Sequence, residues 1–436
     1  MLYENIKKIA FVSFLVFLFF VPFNWTWTNI FLFVSVVGVL VNKDLYNKIV
    51  LTKLCSEEKY FIFFSFCYVV WCFITLLWSD NLSRGVQLSG RYITIVLFPI
   101  FISLARIGGV IKRGEPLVCA FFAGVLVSSF ICLYISYQNS WHEIDGGKVF
   151  NTDIWNRNIT VYETFITEHS FFSYTFLSHF THPAYYSVFF IFVLAFLIHM
   201  LWKSNKLCIN VVLIICILYC SIFIFLLQCR AELIAFAVCI IVSIIFYCLV
   251  KKNYKLLVLG LLITIVGGII IIPHTRLAGL ITGVKRSLNH IENQDVEIPV
   301  FVENENIRVF LWKNAYEVIK RNPILGVGIG DVDSEMENEN IKNKFPNTSL
   351  GSHNQYLYSW LAMGVLGFLL LLAMFATAFY YGIKNRYFPL LSFTITIMIC
   401  IMFENMLTRV YGIMFIPWAM QVLLIMSREK MLKDIK

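Results

Sequence analysis

Apolar residues fall in long, nearly unbroken runs along this chain, and polar residues collect in the gaps between them. The runs are roughly 20 residues long, the length a helix needs to cross the hydrocarbon of a bilayer. Alternating segments of about ten residues, the mark of a membrane barrel, do not occur. Backbone amides in hydrocarbon need internal partners, so runs of this kind predict helices. About twelve spans are expected, near 9–23, 25–41, 60–78, 89–105, 116–138, 184–201, 207–227, 231–250, 254–273, 356–381, 387–403 and 411–427. The first is short enough to be read as a signal peptide. The next follows at once, Pro22 lies in it and no small-residue cleavage site appears, so it is expected to remain as an anchor. The expected fold class is an all-α polytopic membrane protein in one integral domain, 1–436.

Two gaps are long. The stretch 139–183 is polar and aromatic and ends in Ser178-His179-Phe180-Thr181-His182-Pro183. The stretch 274–355 opens on an amphipathic pattern (Leu277, Leu280, Ile281, Val284, Leu288) suited to a membrane surface. An acidic loop follows (Glu292, Asp295, Glu297, Glu303, Glu305). A helix is then predicted from about Asn304 to Arg321, with Ile307, Leu311, Ala315 and Val318 on one stripe and Pro323 ending it. These segments are expected to form a helical cap on the bundle.

Charge adds direction. Of the residues, 14% are charged, well below the roughly 25% of a soluble domain. With the N-terminus in the cytoplasm, the inside segments hold 20 of the 35 basic residues but 7 of the 26 acidic ones. Every short inside loop is then basic, as cytoplasmic loops are. Both termini are expected in the cytoplasm and both long loops outside. The net charge of +9 follows from this topology and requires no nucleic-acid partner. Of the twelve cysteines, Cys67, Cys72, Cys132, Cys216, Cys220, Cys239 and Cys248 lie inside spans. No CxxC pair or His/Cys cluster points to a disulfide framework or a metal, so no cofactor and no metal are expected.

The polar residues that can carry chemistry gather at the outer side. Arg308 lies off the apolar stripe of its helix, with Trp312 one turn on to brace it. It is either a solvated helix-face arginine or a phosphate clamp, since a guanidinium donates two parallel hydrogen bonds to an anion. Arg230 stands between two spans in Leu226-Leu227-Gln228-Cys229-Arg230-Ala231-Glu232. An ionisable residue so placed is a functional candidate, or else a snorkelling cap paired with Glu232. Arg84 and Arg91 begin the fourth span and either enlarge a positive pocket or meet lipid headgroups, the reading favoured here. Gly326, Gly328 and Gly330 lack the preceding strand of a dinucleotide site. They predict a tight turn bringing Arg308 toward His353. His353, in Ser352-His353-Asn354-Gln355, can accept a proton near neutral pH. His182 starts the sixth span on the same side. Glu404 and Arg409 flank a short outer turn and are expected to pair with each other, the alternative being that Glu404 points into the site.

These residues also carry a resemblance. His353-Asn354, then nine residues, Gly364, two residues and Gly367, resembles the signature closing the main outer loop of bacterial O-antigen ligases. Arg308, Trp312 and Asn322-Pro323-Ile324-Leu325-Gly326-Val327-Gly328 resemble the family's arginine helix and Pro-x-x-Gly-x-Gly turn, which sets the signature region at 307–367. Arg230 stands where the family has an arginine between two mid-chain spans. His182-Pro183 opens its span in a similar way. Where relatives often read Ser-Arg-Gly, this chain reads Cys229-Arg230-Ala231.

The resemblance implies a metal-independent inverting glycosyltransferase of the lipid-phosphosugar, GT-C-like architecture in the bacterial inner membrane. It implies a glycan donor on undecaprenyl diphosphate and, in ligases, a lipid A–core acceptor. Residue by residue it implies that Arg230 and Arg308 bind the diphosphate and that His353 serves the acceptor hydroxyl. His182, Arg84, Arg91, Asn354, Glu404 and Arg409 are weaker candidates for contacting substrate. Polymerases of O-antigen, capsule or exopolysaccharide share the architecture, as do protein O-oligosaccharyltransferases. A transporter or flippase would show paired halves or charges at the bilayer midplane, and neither is found.

Overall fold

A computed structural model of the protein describes residues 2–23, 26–42, 54–144, 147–157, 159–160, 163–166, 169–252, 254–271, 284, 307–345 and 347–435. Helices occupy every stretch expected to span: α1 Leu2–Phe20, α2 Asn29–Leu40, α3 Ser56–Ile74, α4 Leu82–Ile107, α5 Glu115–Asn139, α6 Pro183–Lys203, α7 Leu207–Leu227, α8 Arg230–Lys251 and α9 Tyr254–Ile271. The cap helices α10 Ile307–Arg321 and α11 Val332–Lys342 follow, then α12 Gln355–Lys384, α13 Phe388–Cys400 and α14 Val410–Ile435. Among the described residues nine helices are long and apolar enough to cross a membrane, while α2 and α13 belong to shorter apolar helices. The protein is an all-α polytopic membrane protein. The amphipathic segment at 277–288 lies outside the described residues except for Val284, and so does the acidic loop at 292–305.

Helix α6 is the axis of the bundle. Nearly every side chain from Ala184 to Ile198 is buried, because neighbours enclose it on all sides. Helix α14 is the other enclosed element, and rings of Phe121, Phe189, Phe192, Phe393, Phe415 and Trp418 interlock where α5, α6, α13 and α14 meet. Helix α7, as apolar as any, is largely exposed and therefore faces lipid. Lipid supplies no hydrophobic drive between helices, so packing and polar ties hold them. Tyr68 Oη to Ser359 Oγ is 2.8 Å, Ser128 Oγ to Tyr186 Oη 2.6 Å, and Gln421 Nε2 donates to Ser103 Oγ at 2.7 Å.

The lysine-rich end carries its own ion pairs. Arg106 Nε donates to the buried Glu58 at 2.9 Å, and Arg428 lies 3.6 Å from Glu57. At the other end sits the cap. Leu311, Ala315 and Val318 of the predicted stripe are fully buried, while Ile307 stays exposed. Asn314 Nδ2 donates to Asn340 Oδ1 at 2.8 Å, and Arg321 pairs with Glu339 at 2.7 Å. The 139–183 stretch contains an element that was not foreseen. Trp141–Ile144 and Gly147–Phe150 form an antiparallel hairpin with Trp141 opposite Phe150.

Candidate functional site

The tenth span is not the continuous helix its apolar run predicts. Gly364 interrupts α12 with φ +63° and ψ −169°, a left-handed backbone that L side chains avoid. A break in a membrane helix exposes carbonyls that must find new donors. Here the turn after Pro323 provides them. Val327 N donates to Leu361 O at 2.7 Å and Gly328 N to Ala362 O at 3.1 Å. Trp71 Nε1 takes Met363 O at 2.8 Å, and Val365 N returns a bond to Pro323 O at 3.1 Å. The approach leaves no room for a side chain: a Cβ on Gly364 would stand 1.9 Å from Ile324 O, and one on Gly326 2.5 Å from Leu361 O. The glycine turn thus docks on the kink. Its far side is fixed as well, since Asp331 accepts from Asp80 N and Asn81 N at 2.7 and 2.8 Å.

The N-terminus of α12 positions the next residues. Asn354 caps it, its Oδ1 accepting from Tyr356 N and Leu357 N at 2.9 and 3.1 Å. That side-chain oxygen is spent on the helix rather than on substrate. Gln355 staples the helix start to the α13–α14 turn: its N donates to Ile401 O at 2.8 Å, and its Oε1 accepts from Leu407 N at 2.9 Å. The staple brings Glu404 to His353, whose backbone is left-handed with φ +44°. His353 Nδ1 lies 3.2 Å from Glu404 Oε2. With a carboxylate as partner Nδ1 donates, which leaves Nε2 as the ring's acceptor. Arg409 takes no part in this contact. The expected Glu404–Arg409 pair is replaced by Glu404–His353, because the staple fixes the carboxylate toward α12.

Glu404 also lines a cavity of about 90 Å³, with Arg230, Arg308, His182, Glu232 and Phe403. Tyr174 closes it from the 139–183 segment. His353 reaches this cavity through Glu404 and does not line it. Two long helices start at its wall, α6 at Ala184 and α8 at Cys229, Arg230 and Ala231. Helix N-termini carry partial positive charge, so both favour an anion. His182 Nδ1 accepts from Ala184 N at 3.3 Å, capping α6. Burial alone would raise the Glu404 carboxyl. The hydrogen bond from His353, with the charges of His353, Arg308 and His182, outweighs burial and holds it below the usual carboxylate range. His182 is held below the ordinary histidine value by the protein crowded around it, against the opposing pull of Glu404.

The other expectations divide. Arg308 and Arg230, 78 residues apart, line one cavity. Trp312 packs beside Phe403, with ring centroids 5.9 Å apart and the planes tilted by 42°. Arg84 does not line this cavity; it pairs with Asp333 of the cap at 2.8 Å. Arg91 lies further along α4 and does not line the cavity. The sequence offers Glu232 as a partner for Arg230, and the structure places it in the cavity wall. Its place in an otherwise apolar run was the signal that it belongs to the site. Among the described residues no three His, Cys, Asp or Glu side chains converge in a metal-ligand group.

The fold defines the class, a multi-pass membrane protein, with two arginines and a histidine–glutamate pair gathered at the cap end of its helix bundle. Residues 215–372 match the family model described as O-antigen ligase. The match runs from within α7 to just past the middle of α12 and includes both interlocking glycine segments. Over that stretch, about a third of its length, the chain is similar to the O-antigen ligase superfamily, a glycan-handling family of glycosyltransferase-like enzymes. A protein of Haemophilus influenzae (strain Rd), described as uncharacterized, is 42% identical over 82 residues. That stretch is 18% of this chain and spans 20% of the relative's length.

Proposed function

We propose that this protein is an O-antigen ligase. It would transfer a glycan from undecaprenyl diphosphate to a sugar hydroxyl of lipid A–core, at the periplasmic face of a bacterial inner membrane, with both termini in the cytoplasm. The observation that carries the reading is the shared cavity: Arg230 and Arg308 line it with Glu404, and Glu404 holds His353. The cavity is far too small for a lipid-linked glycan, so only the charged head at the reacting bond enters it. Prenyl chain and glycan lie beyond.

The reaction is a single displacement. The acceptor oxygen forms a bond to the anomeric carbon as the carbon–oxygen bond to the diphosphate breaks, which inverts the centre. The diphosphate leaves with the bonding electrons, and fixed cations at Arg230 and Arg308, with two helix N-termini, stabilise that charge. The acceptor proton passes to His353 Nε2. Glu404, held ionised, is a poor base at neutral pH and instead steadies the imidazolium. A positioned base of this kind contributes roughly 10²–10⁴-fold. No step uses a metal. Among the described residues the indole N–H of Trp312 and the hydroxyls of Thr181 and Tyr185 are buried without hydrogen-bond partners. Such groups are costly unpaired, and sugar hydroxyls are suitable partners.

Deleting the gene in its host tests the assignment. Loss of a ligase leaves long glycan stranded on undecaprenyl diphosphate and bare lipid A–core. Core bearing a single repeat would instead identify a polymerase and overturn the ligase reading.

A further inference from the structure

A second cavity, of about 360 Å³, lies at the opposite, lysine-rich end of the bundle, between the start of α1 and the α4–α5 loop. Its charged lining is Lys7, Lys8, Lys112 and Arg113 against one acid, Glu4. Its remaining walls include Phe11, Val110 and Pro116. Lys7 pairs with Glu4 at 2.9 Å. Among the described residues Lys8, Lys112 and Arg113 make no ion pair.

The loop that presents two of these cations is fixed. Gly109 turns it with φ +73°, Val110 N and Ile111 N both donate to Ala105 O, at 2.8 and 3.1 Å, and Asn42 Nδ2 donates to Gly108 O at 2.8 Å. Val110 and Ile111 are buried, so the loop is anchored on both sides of its turn. Lys112 and Arg113 are therefore held in place, not carried on a mobile tail. A cationic rim over apolar walls, at the ends of membrane helices, matches one chemistry: a phosphate joined to a glycerol and acyl chains.

We propose that this cavity binds the headgroup of an anionic phospholipid. The phosphate sits among Lys8, Lys112 and Arg113, where the guanidinium donates two bonds to it, and the apolar walls take the glycerol and upper acyl chain. Basic pockets between membrane helices recognise such headgroups in this way. The site requires only that this end lies in a headgroup layer, so it stands or falls independently of the transfer reaction.

The test uses the full chain purified in detergent, with cardiolipin or phosphatidylglycerol as probe and phosphatidylcholine as control. Lipid retention is read by native mass spectrometry and protection by thermal unfolding. Anionic lipid should be retained and should raise Tm, and phosphatidylcholine should do neither. Lys8→Gln/Lys112→Gln/Arg113→Gln should lose both effects, each neutralised cation weakening binding by about fivefold. Lys251→Gln, on the same end but outside the cavity, should bind as the unmodified chain does. Retained protection in the triple variant overturns the proposal. An equal loss from Lys251→Gln reduces it to diffuse charge, and equal protection by inorganic phosphate reduces it to a free-anion site; either overturns the lipid assignment. Should the triple variant fail to fold, Lys112→Gln alone must weaken binding by about fivefold, and unchanged binding refutes the site.

Discussion

His353 meets Glu404 from a left-handed backbone, a conformation histidine tolerates better than most residues but at some cost. Asparagine also tolerates it and cannot serve as a base, so His353→Asn separates chemistry from folding. Purified His353→Asn, supplied with lipid-linked donor in EDTA, should bind donor normally and turn over ~10²–10⁴-fold more slowly; the unmodified enzyme should keep full turnover in EDTA. Arg308→Lys keeps the charge but loses the planar fork, and should weaken donor binding. Normal donor binding in Arg308→Lys with lost binding in His353→Asn would reverse the two roles. Glu404 carries a pH dependence. Its folded-state value lies below the ordinary 4.5, so the unfolded chain binds its proton first on acidification. The stability it supplies is complete above about pH 4.5 and is lost as pH falls through the lower folded value. Glu404→Gln should start less stable at pH 7 and lose less on acidification, the two thermal-unfolding curves converging in acid. Parallel curves would refute the linkage. As a candidate, Glu404 could be found in the sequence. Its partner could not: Arg409 is five residues away and His353 is 51, and only the Gln355 staple, invisible in one dimension, reverses that order.

At the scale of elements, Gly364 and Gly326 are where two signature segments become one unit. Gly364→Ala places a methyl group into Ile324 O at a positive φ. It should cost more than the ~1 kcal/mol of an ordinary helix glycine change, seen as a large fall in Tm and in recovery of folded protein. Gly90→Ala, where a Cβ meets nothing within 4 Å, is the matched control and should be neutral or slightly stabilising. Equal Tm values for the two would remove the interlock from the argument. The helices themselves were readable because length and apolarity suffice in a bilayer. The kink was not, since Gly364 sits in a run that stays apolar on both sides. Burial was equally hidden. Helices α6 and α7 are both apolar throughout, yet one is enclosed and the other faces lipid, because lipid and protein interior demand the same residues.

For the whole molecule, the lysine and arginine distribution predicts an orientation for the helices, and the cap and the arginine-lined cavity fall together at the end opposite the lysine-rich loops. Asn338 lies exposed on α11. With native cysteines removed, Asn338→Cys should react with a membrane-impermeant thiol reagent added to cells whose outer membrane is permeabilised. Labelling only after the inner membrane is lysed would invert the map. The kink also sets a height. From Gln355 to Met363 is nine residues, about 13 Å of helix, so the glycine turn of the cap reaches roughly that far down beside α12 from the level of His353. Polar backbone survives there because α12 itself supplies its partners. The cap is in effect countersunk: its glycine turn lies below the start of α12, and under the proposed function a prenyl-anchored headgroup would approach the cap while its chain remained in the membrane. Raising such a chain into water would cost about 0.8 kcal/mol for each methylene exposed, a penalty that a recessed workbench largely avoids.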